Sequence, residues 1–400
     1  MKTTTDPTNW KGAGYKKIHQ EQAEVRMDYE VIIAGGSFAG LAVAAQLRDR
    51  RVLLVEPHAI GALQTSACGT LLAVLEATGT MDSLLQIHDY FALHLRDRTV
   101  EYALPYSFCT FDYHTFCYRL LAQGNAELLQ ASVLSHRGHL VYTTKGVFST
   151  EILVDATGWR AALATNSGRQ AEQHRGKSFG LETVIPIAEE GLHFYYDSPR
   201  LGPHNVGWLF PTGALSRAGF ASYQGHTQLN QALRNFVQDQ FGRSPDGQHG
   251  GYFPYRSQPA TSGQVFRVGD AAGQCLPFSG EGIRPALYFG AAAGRLARRV
   301  LDGELRAADA LHSYRQFVEQ HRPAYRVLLA AQKILPGLPM AWIEALAGLA
   351  QPDPLIGAIL RLYWETIDPH AFGWPAEKAG VSTVSPLRSA QSIPARIEAN

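Results

Sequence analysis

Val31-Ile32-Ile33-Ala34-Gly35-Gly36-Ser37-Phe38-Ala39-Gly40-Leu41 is the stretch whose reading decides the fold. A short apolar run ends in a glycine turn, and a helix-forming run from Leu41 to Arg50 follows. Strand, tight turn and helix in that order present the backbone N–H groups and positive end of a helix to a pyrophosphate. A second apolar run, Val52 to Val55, ends in Glu56. An acid there, about 20 residues past the first glycine, is placed to accept from ribose hydroxyls. Against the pattern G-x-G-x-x-G the turn carries Gly35, Ser37 and Gly40, with Ser in the middle position. Ser is small enough for close phosphate approach and adds a hydroxyl donor. The stretch from Gly35 through Gly36, Ser37, Phe38 and Ala39 to Gly40, with Glu56, is therefore the first candidate cofactor-binding set.

Working outward, residues 1–27 show neither helix nor strand periodicity and are expected to form a flexible leader without the apolar core of a signal peptide. The polar segment containing Gln64-Thr65-Ser66-Ala67-Cys68-Gly69 leaves the dinucleotide fold. Leu71 to Ile87 has helical spacing, Phe91 to Ala103 alternates as one or two strands, and Phe111 to Gln123 is helical again. Glu127 to Leu134, His139 to Thr144 and Val147 to Thr150 predict a small antiparallel excursion. Ile152-Leu153-Val154-Asp155-Ala156-Thr157-Gly158 is a buried strand ending at a glycine turn, on the sheet edge where a cofactor binds. Four strand-like runs follow (Phe179–Pro186, Leu192–Asp197, Val206–Pro211, Arg217–Tyr223), then an amphipathic helix from Gln228 to Phe241. Val265 to Val268 is the last strand of the first domain. It runs into Gly269-Asp270-Ala271-Ala272-Gly273 and Pro277-Phe278-Ser279-Gly280-Glu281-Gly282-Ile283, before a small-residue helix from Arg284 to Leu301.

The fold class is α/β: a Rossmann-like domain with a mostly parallel sheet (residues 28–70, 104–165 and 262–305), an antiparallel-sheet substrate domain (71–103 and 166–261) and a C-terminal helical cap (306–375). Residues 376–400 are expected to be a disordered tail. The helical cap, with Tyr325 to Leu335, Met340 to Leu349 and Leu355 to Trp364, covers the core or forms a greasy lid or membrane-facing surface.

Composition limits the partners. Lys plus Arg number 36 against 35 Asp plus Glu, so there is no basic footprint for nucleic acid. The four cysteines, Cys68, Cys109, Cys117 and Cys275, lack metal-site spacing and are expected to be thiols in a reducing compartment, with no metal. No apolar run reaches the ~18 residues that span a bilayer. The expected location is the cytoplasm, with a peripheral place at a membrane as the alternative. Oligomeric state leaves no mark.

The Gly35 turn, the strand ending at Gly158 and the late Gly269-Asp270 pair together resemble FAD enzymes of the para-hydroxybenzoate hydroxylase type, across residues 28–305. That resemblance implies FAD, with Gly269 and Asp270 at its ribityl chain and pyrophosphate and the following helix aimed at the flavin ring. Within the group the chain is similar to the geranylgeranyl reductases. Pro277 to Ile283 is similar to their Pro-Leu-Thr-Gly-Glu-Gly-Ile segment beside the flavin, which implies that Pro277, Gly280, Gly282 and Ile283 meet the cofactor. Val206-Gly207-Trp208-Leu209-Phe210-Pro211 with Gly219-Phe220-Ala221 resembles their substrate motif, with Val206 and Ala221 in place of Tyr and Gly. Cys68-Gly69 is similar to their Cys-Gly near the flavin. Asp112-Tyr113-His114-Thr115-Phe116-Cys117 departs from the family's Asp-Arg-x-x-Phe-Asp.

The resemblance implies hydride transfer from reduced flavin N5 to a C=C bond of an isoprenoid or other hydrophobic substrate, met at a membrane surface or in solution. The electron donor is NAD(P)H or ferredoxin. Trp208, Phe210 and Phe278 are expected to line a dry slot. Cys68 is a candidate proton donor or flavin contact, or else an inert thiol. Glu281 is a candidate acid, or else closes its turn. The alternatives are an FAD-dependent monooxygenase acting through a flavin C4a-hydroperoxide and a non-redox lycopene-cyclase-like enzyme, to which Phe179-Gly180-Leu181-Glu182 has a faint similarity. A halogenase needs a Lys soon after the glycine turn; none occurs between Lys17 and Lys145.

Overall fold

The structure, a computed structural model, describes residues 27–163, 176–197, 201–202, 204–349 and 354–375. The expected tail, and all of the expected leader except Met27, lie outside the described residues. The chain opens with β1 (Tyr29–Ala34), α1 (Phe38–Ala45) and β2 (Val52–Glu56). β3 (Gly69–Leu71), α2 (Leu72–Thr78), β4 (Leu84–His94), β5 (Thr99–Phe111) and α3 (Tyr113–Ala122) follow. Next come β6 (Glu127–Gln130), β7 (Val133–Arg137), β8 (Leu140–Thr143) and β9 (Gly146–Asp155).

The second half holds β10 (Lys177–Ile185), β11 (Leu192–Tyr195), β12 (Asn205–Pro211), β13 (Ser216–Ser222), α4 (Asn230–Phe241) and β14 (Asp246–Pro254). β15 (Thr261–Ser262) and β16 (Val265–Arg267) return to the first sheet. The chain then runs through α5 (Ile283–Leu301), α6 (Ala307–Gln320), α7 (Arg322–Ile334), α8 (Met340–Leu349) and α9 (Pro354–Glu365).

The first sheet runs β15-β16-β9-β1-β2-β6, and β16, β9, β1, β2 and β6 are mutually parallel. Its central strands are solid with Val31, Ile32, Ile33, Leu53, Leu54 and Val154, as a sheet covered on both faces requires. The second sheet runs β14-β10-β13-β12-β11-β4-β5-β3 and is antiparallel except where β11 meets β4. One of its faces packs on α4, with Leu209, Ala218 and Phe220 against Leu233, Phe236 and Val237.

Four local expectations are corrected. Glu127–Gln130 is not part of the antiparallel excursion; it pairs parallel to β2. A four-residue run shows strand character but carries no information about its partner. The helix after Leu71 stops at Thr78, where Gly79 takes the left-handed conformation (φ 64) that terminates helices. β14 went unread because its glycines, Gly247, Gly250 and Gly251, mask the alternation. Strand pairing also places Gly69–Leu71 and residues 104–111 in the second sheet, beyond the expected boundary.

The small residues of α5 serve helix packing. A β-carbon at Gly290 would come 2.6 Å from the Ala39 carbonyl oxygen, and one at Gly294 would come 2.8 Å from Cβ of Gln46. The two helices therefore touch backbone to backbone. Gly290→Val should lower stability by about 3 kcal/mol through overpacking, measured as a drop in Tm and in the urea midpoint.

Candidate functional site

Three loops at the carboxyl edge of the first sheet meet. Gly35 has φ 107, and a β-carbon there would overlap the Ala156 carbonyl oxygen, so the turns after β1 and β9 lie backbone against backbone. Gly40 closes on the Gly35 carbonyl in the same way. The third loop joins through Gly269, where a β-carbon would come 2.9 Å from Cβ of Ala39. The Val268 N–H donates to the Asp155 carbonyl at 3.0 Å. Gly35, Gly158 and Asp270 thus stand on adjoining loops.

Within this cradle the Gly36 N–H donates to Oε2 of Glu56 at 2.9 Å, which sets the carboxylate beside the turn. Ser37 Oγ lies 3.1 Å from the Tyr113 hydroxyl. Phe38 is clamped edge-on by Phe111, Tyr113 and Phe116, and Ala39 is buried beside it. The first N–H groups of α1 have no carbonyl partner within their own helix. Asp155 organises its turn: one oxygen accepts from the Thr157 N–H at 3.1 Å and hydroxyl at 2.6 Å, and the other from the Leu163 N–H at 3.2 Å. Gly158 follows with φ 66. Asp270 is half-buried, and among the described residues no hydrogen bond reaches its carboxylate. Burial pushes its pKa up to about 7, against the pull of Lys177.

The Pro277–Ile283 loop folds on itself, the Leu276 N–H donating to the Glu281 carbonyl at 2.9 Å. Pro277 is buried, and Gly280 (φ 67) packs on Phe253 of β14. Gly282 begins α5 close to Asp270, whose Oδ1 is 3.9 Å from where its β-carbon would sit; Ile283 is buried just behind. Glu281 is gripped by Arg284, at 2.7 Å and 2.8 Å, and by the Tyr363 hydroxyl at 2.6 Å. Burial alone would raise its pKa, but Arg284 and Tyr363 outweigh it and hold the carboxyl below its ordinary value. These contacts favour the turn-closing reading of Glu281 over its reading as an acid. Arg284 is fully buried and also donates to the Trp364 and Ile367 carbonyls at 2.5 Å and 2.6 Å.

Across from this cradle stands the other face of the second sheet. Gly251 on β14 faces Thr65, and Phe210 lies 3.3 Å from where a β-carbon on Gly69 would sit. Trp208 and Phe210 are half-buried on this face. Cys68 is fully buried with φ 52, and its thiol donates to the Ser66 carbonyl at 3.3 Å. Burial pushes its pKa up, so it is a neutral thiol. Phe278, the other expected slot residue, is 37% exposed beside Tyr223.

Sequence reasoning missed three residues here as site candidates. Glu182 accepts from the Trp208 indole at 2.8 Å, His249 sits 3.0 Å from the other Glu182 oxygen, and Arg217 ties the Ala67 and Phe111 carbonyls at 3.2 Å and 3.1 Å. A buried Glu and Arg in apolar strands were the available signal, since such charges demand partners.

No protein-family model matches the chain. It is 22% identical over 214 residues to a digeranylgeranylglycerophospholipid reductase of Methanocaldococcus jannaschii, covering 50% of this chain and 55% of that protein. It is 24% identical over 221 residues to the chloroplastic geranylgeranyl diphosphate reductase of Oryza sativa subsp. japonica, covering 48% of this chain and 43% of that one. The chain is thus similar, at low identity and over about half its length, to geranylgeranyl reductases. The matches span about half the length of these curated proteins.

Among solved structures, the chain is similar to a geranylgeranyl bacteriochlorophyll reductase-like protein from Thermoplasma acidophilum (TM-score 0.73, 15% identity, 86% of this chain, 97% of that one). It is also similar to a probable FAD-dependent monooxygenase from Pseudomonas aeruginosa (TM-score 0.59, 15% identity, 83% and 99%). These likenesses establish the fold, an α/β architecture of two sheets with a C-terminal helical region.

The Glu281–Arg284 pair generates a test. Because the folded pKa of Glu281 lies below its ordinary 4.5, the ion pair's stability is complete above about pH 4.5 and is lost as pH falls. Glu281→Gln should therefore flatten the acid limb of the Tm–pH curve. It should also cost about 3 kcal/mol at pH 7, since Arg284 is left buried without its partner.

Proposed function

We propose that the chain is an FAD-dependent oxidoreductase that reduces C=C bonds of an isoprenoid or other hydrophobic substrate, taking electrons from NAD(P)H or ferredoxin. The observation that carries this reading is the convergence of the Gly35, Gly158 and Asp270 loops opposite an aromatic-lined sheet face. The residues fit the cofactor: a turn in which side chains at Gly35 and Gly40 would block the loops' approach, an acid at Glu56, and a half-buried Asp270 carboxylate with no donor among the described residues. Glu56 would accept from ribose hydroxyls, Ser37 and the first N–H groups of α1 would meet the pyrophosphate, and Asp270 would accept from the ribityl chain. Gly158, Gly269, Pro277, Gly280, Gly282 and Ile283 shape the remaining wall. Cys68 belongs to that wall as a neutral thiol rather than a nucleophile. When bound and reduced, FAD supplies the hydride.

The chain's own residues supply the rest. Trp208 and Phe210 would keep one side of the cleft apolar, with Gly69 packed beside Phe210 and Gly280 beside Phe253 at its rim. This arrangement favours holding an alkene away from water, where positioning can lower the barrier by several kcal/mol.

The C-terminal helices support a membrane approach for such a substrate. Trp342 (66%), Leu349 (74%), Leu355 (54%) and Leu362 (72%) stand exposed on α8 and α9. Among the described residues no helix is long and apolar enough to cross a membrane, so contact would be peripheral.

Two measurements check these proposals. The purified protein, reduced anaerobically with dithionite, should be reoxidised by polyprenyl lipids, with a product two hydrogens heavier. Failure with every polyprenyl substrate overturns the reductive reading, and oxygen consumption stimulated by an aromatic compound favours the monooxygenase. The protein should float with liposomes, and the double variant Trp342→Glu, Leu349→Glu should lose most of that flotation while keeping its flavin spectrum.

A further inference from the structure

Adding hydrogen across a C=C bond takes a hydride and a proton, and the residues first suspected as proton donors are poorly suited. Cys68 is sealed with its hydrogen on the Ser66 carbonyl. Glu281 is locked to Arg284 and Tyr363. Asp270 lies on the cofactor loop.

A different acid stands on the cleft face of the second sheet. Its side chain is only 4% exposed. This is Glu182 on β10. Strand register sets it in a cross-sheet row: His249 on β14, Glu182, Gly219 on β13, then Trp208 on β12. Gly219 makes the row work, because a β-carbon there would overlap the indole. With only hydrogen at Gly219, the Trp208 ring lies across β13 and its Nε1–H reaches Glu182 Oε2 at 2.8 Å. The other oxygen, Oε1, lies 3.0 Å from Nε2 of His249, whose side chain is 28% exposed. One carboxylate oxygen is thus fixed from the substrate wall, and the other leads to a ring that touches solvent.

The face is the one turned to the cofactor loops. Gly180, two residues before Glu182, is within 3.6 Å of Phe253 at its β-carbon position, and Phe253 packs on Gly280. Cys68 feels the charges of both Arg217 and Glu182. Arg217 spends its guanidinium on the Ala67 and Phe111 carbonyls, leaving Glu182 bonded to Trp208 and His249.

We propose that Glu182 is the proton donor of the cleft, recharged from solvent through His249 and held in register by Trp208. The proposal rests on the reductive reading above. In the step, the hydride forms one C–H bond, and the π pair of the alkene goes to the second carbon. The O–H bond of Glu182 breaks, its proton joins that pair to form the second C–H bond, and a carboxylate remains. His249 passes a proton from Nε2 to the carboxylate and takes one from water. The substrate gains one hydride and one proton, the electrons coming from the NAD(P)H or ferredoxin class of donor. Glu182 is the catalytic residue; His249 and Trp208 are positioning and relay residues.

The test uses FAD-loaded enzyme, reduced anaerobically and mixed with a polyprenyl lipid, following flavin reoxidation in H2O and D2O. Glu182→Gln keeps an oxygen for the Trp208 indole but carries no transferable acid proton. It should slow reoxidation by 100-fold or more, as expected for loss of a general acid. Lipid affinity for the oxidised holoenzyme should stay within about twofold, and the near-UV circular dichroism of the tryptophans should be unchanged, as for a loss confined to the chemical step. His249→Gln should slow the reaction less, with added imidazole restoring part of the rate. Wild-type product formed in D2O should carry two deuteriums, because the flavin N5 hydrogen comes from the solvent on anaerobic reduction just as the Glu182 proton does, and reoxidation should be slower in D2O than in H2O. A Glu182→Gln enzyme that keeps pace with wild type overturns the relay alone. Slowing accompanied by weaker lipid binding and an altered tryptophan signal also overturns it, because Glu182 then only props the indole. A wild-type enzyme that no polyprenyl lipid reoxidises overturns both the relay and the reading beneath it.

Discussion

A close approach of backbone to backbone governs the rest. Gly35 leaves room for nothing but hydrogen between itself and the Ala156 carbonyl, and that contact brings the end of β1 against the end of β9. Gly40 and Gly269 extend the same logic to α1 and to the loop after β16. Each close approach removes a side chain that would otherwise have spaced the loops apart. A pyrophosphate needs backbone N–H groups within direct reach, and only loops packed at this distance can supply them from three separate parts of the chain.

The second sheet uses glycine differently. Gly219 gives its volume to an indole, and Gly207 gives its volume to Phe236 on the opposite face. Two aromatic rings thus sit over glycines on the two faces of the β12–β13 pair. The helix-side ring fills a core; the cleft-side ring carries a donor to a buried carboxylate. The same local device yields packing on one face and a polar network on the other, because only one face has Glu182 to meet the N–H.

How much of this was legible follows from where the physical signal lies. The order of strand, turn, helix and strand from β1 to Glu56 was legible because the elements are contiguous and each constrains the next, although the helix spans Phe38–Ala45 rather than Leu41 to Arg50. The four middle strands, β10 to β13, and α5 were placed to within a few residues for the same reason. β14 was missed because Gly247, Gly250 and Gly251 erase the alternation that marks a strand. The parallel pairing of Glu127–Gln130 was missed because a strand's partner is chosen by distant residues. Glu281 was read from its motif as both acid and brace. Its decisive partners, Arg284 and Tyr363, include one 82 residues away, which no local pattern displays. Glu182 and His249 are 67 residues apart, and the row that joins them exists only once strand register is known.

Arg284 couples parts of the chain that look independent. Its guanidinium holds Glu281 on one side and the Trp364 and Ile367 carbonyls on the other. The 277–282 loop and the last helix are therefore two halves of a single exchangeable module. A chimera that borrows a loop without an acid at position 281 while keeping this C-terminus would lose both Arg284–Glu281 bonds and the Tyr363–Glu281 bond at once, so the loop and the C-terminus have to be exchanged in one cassette.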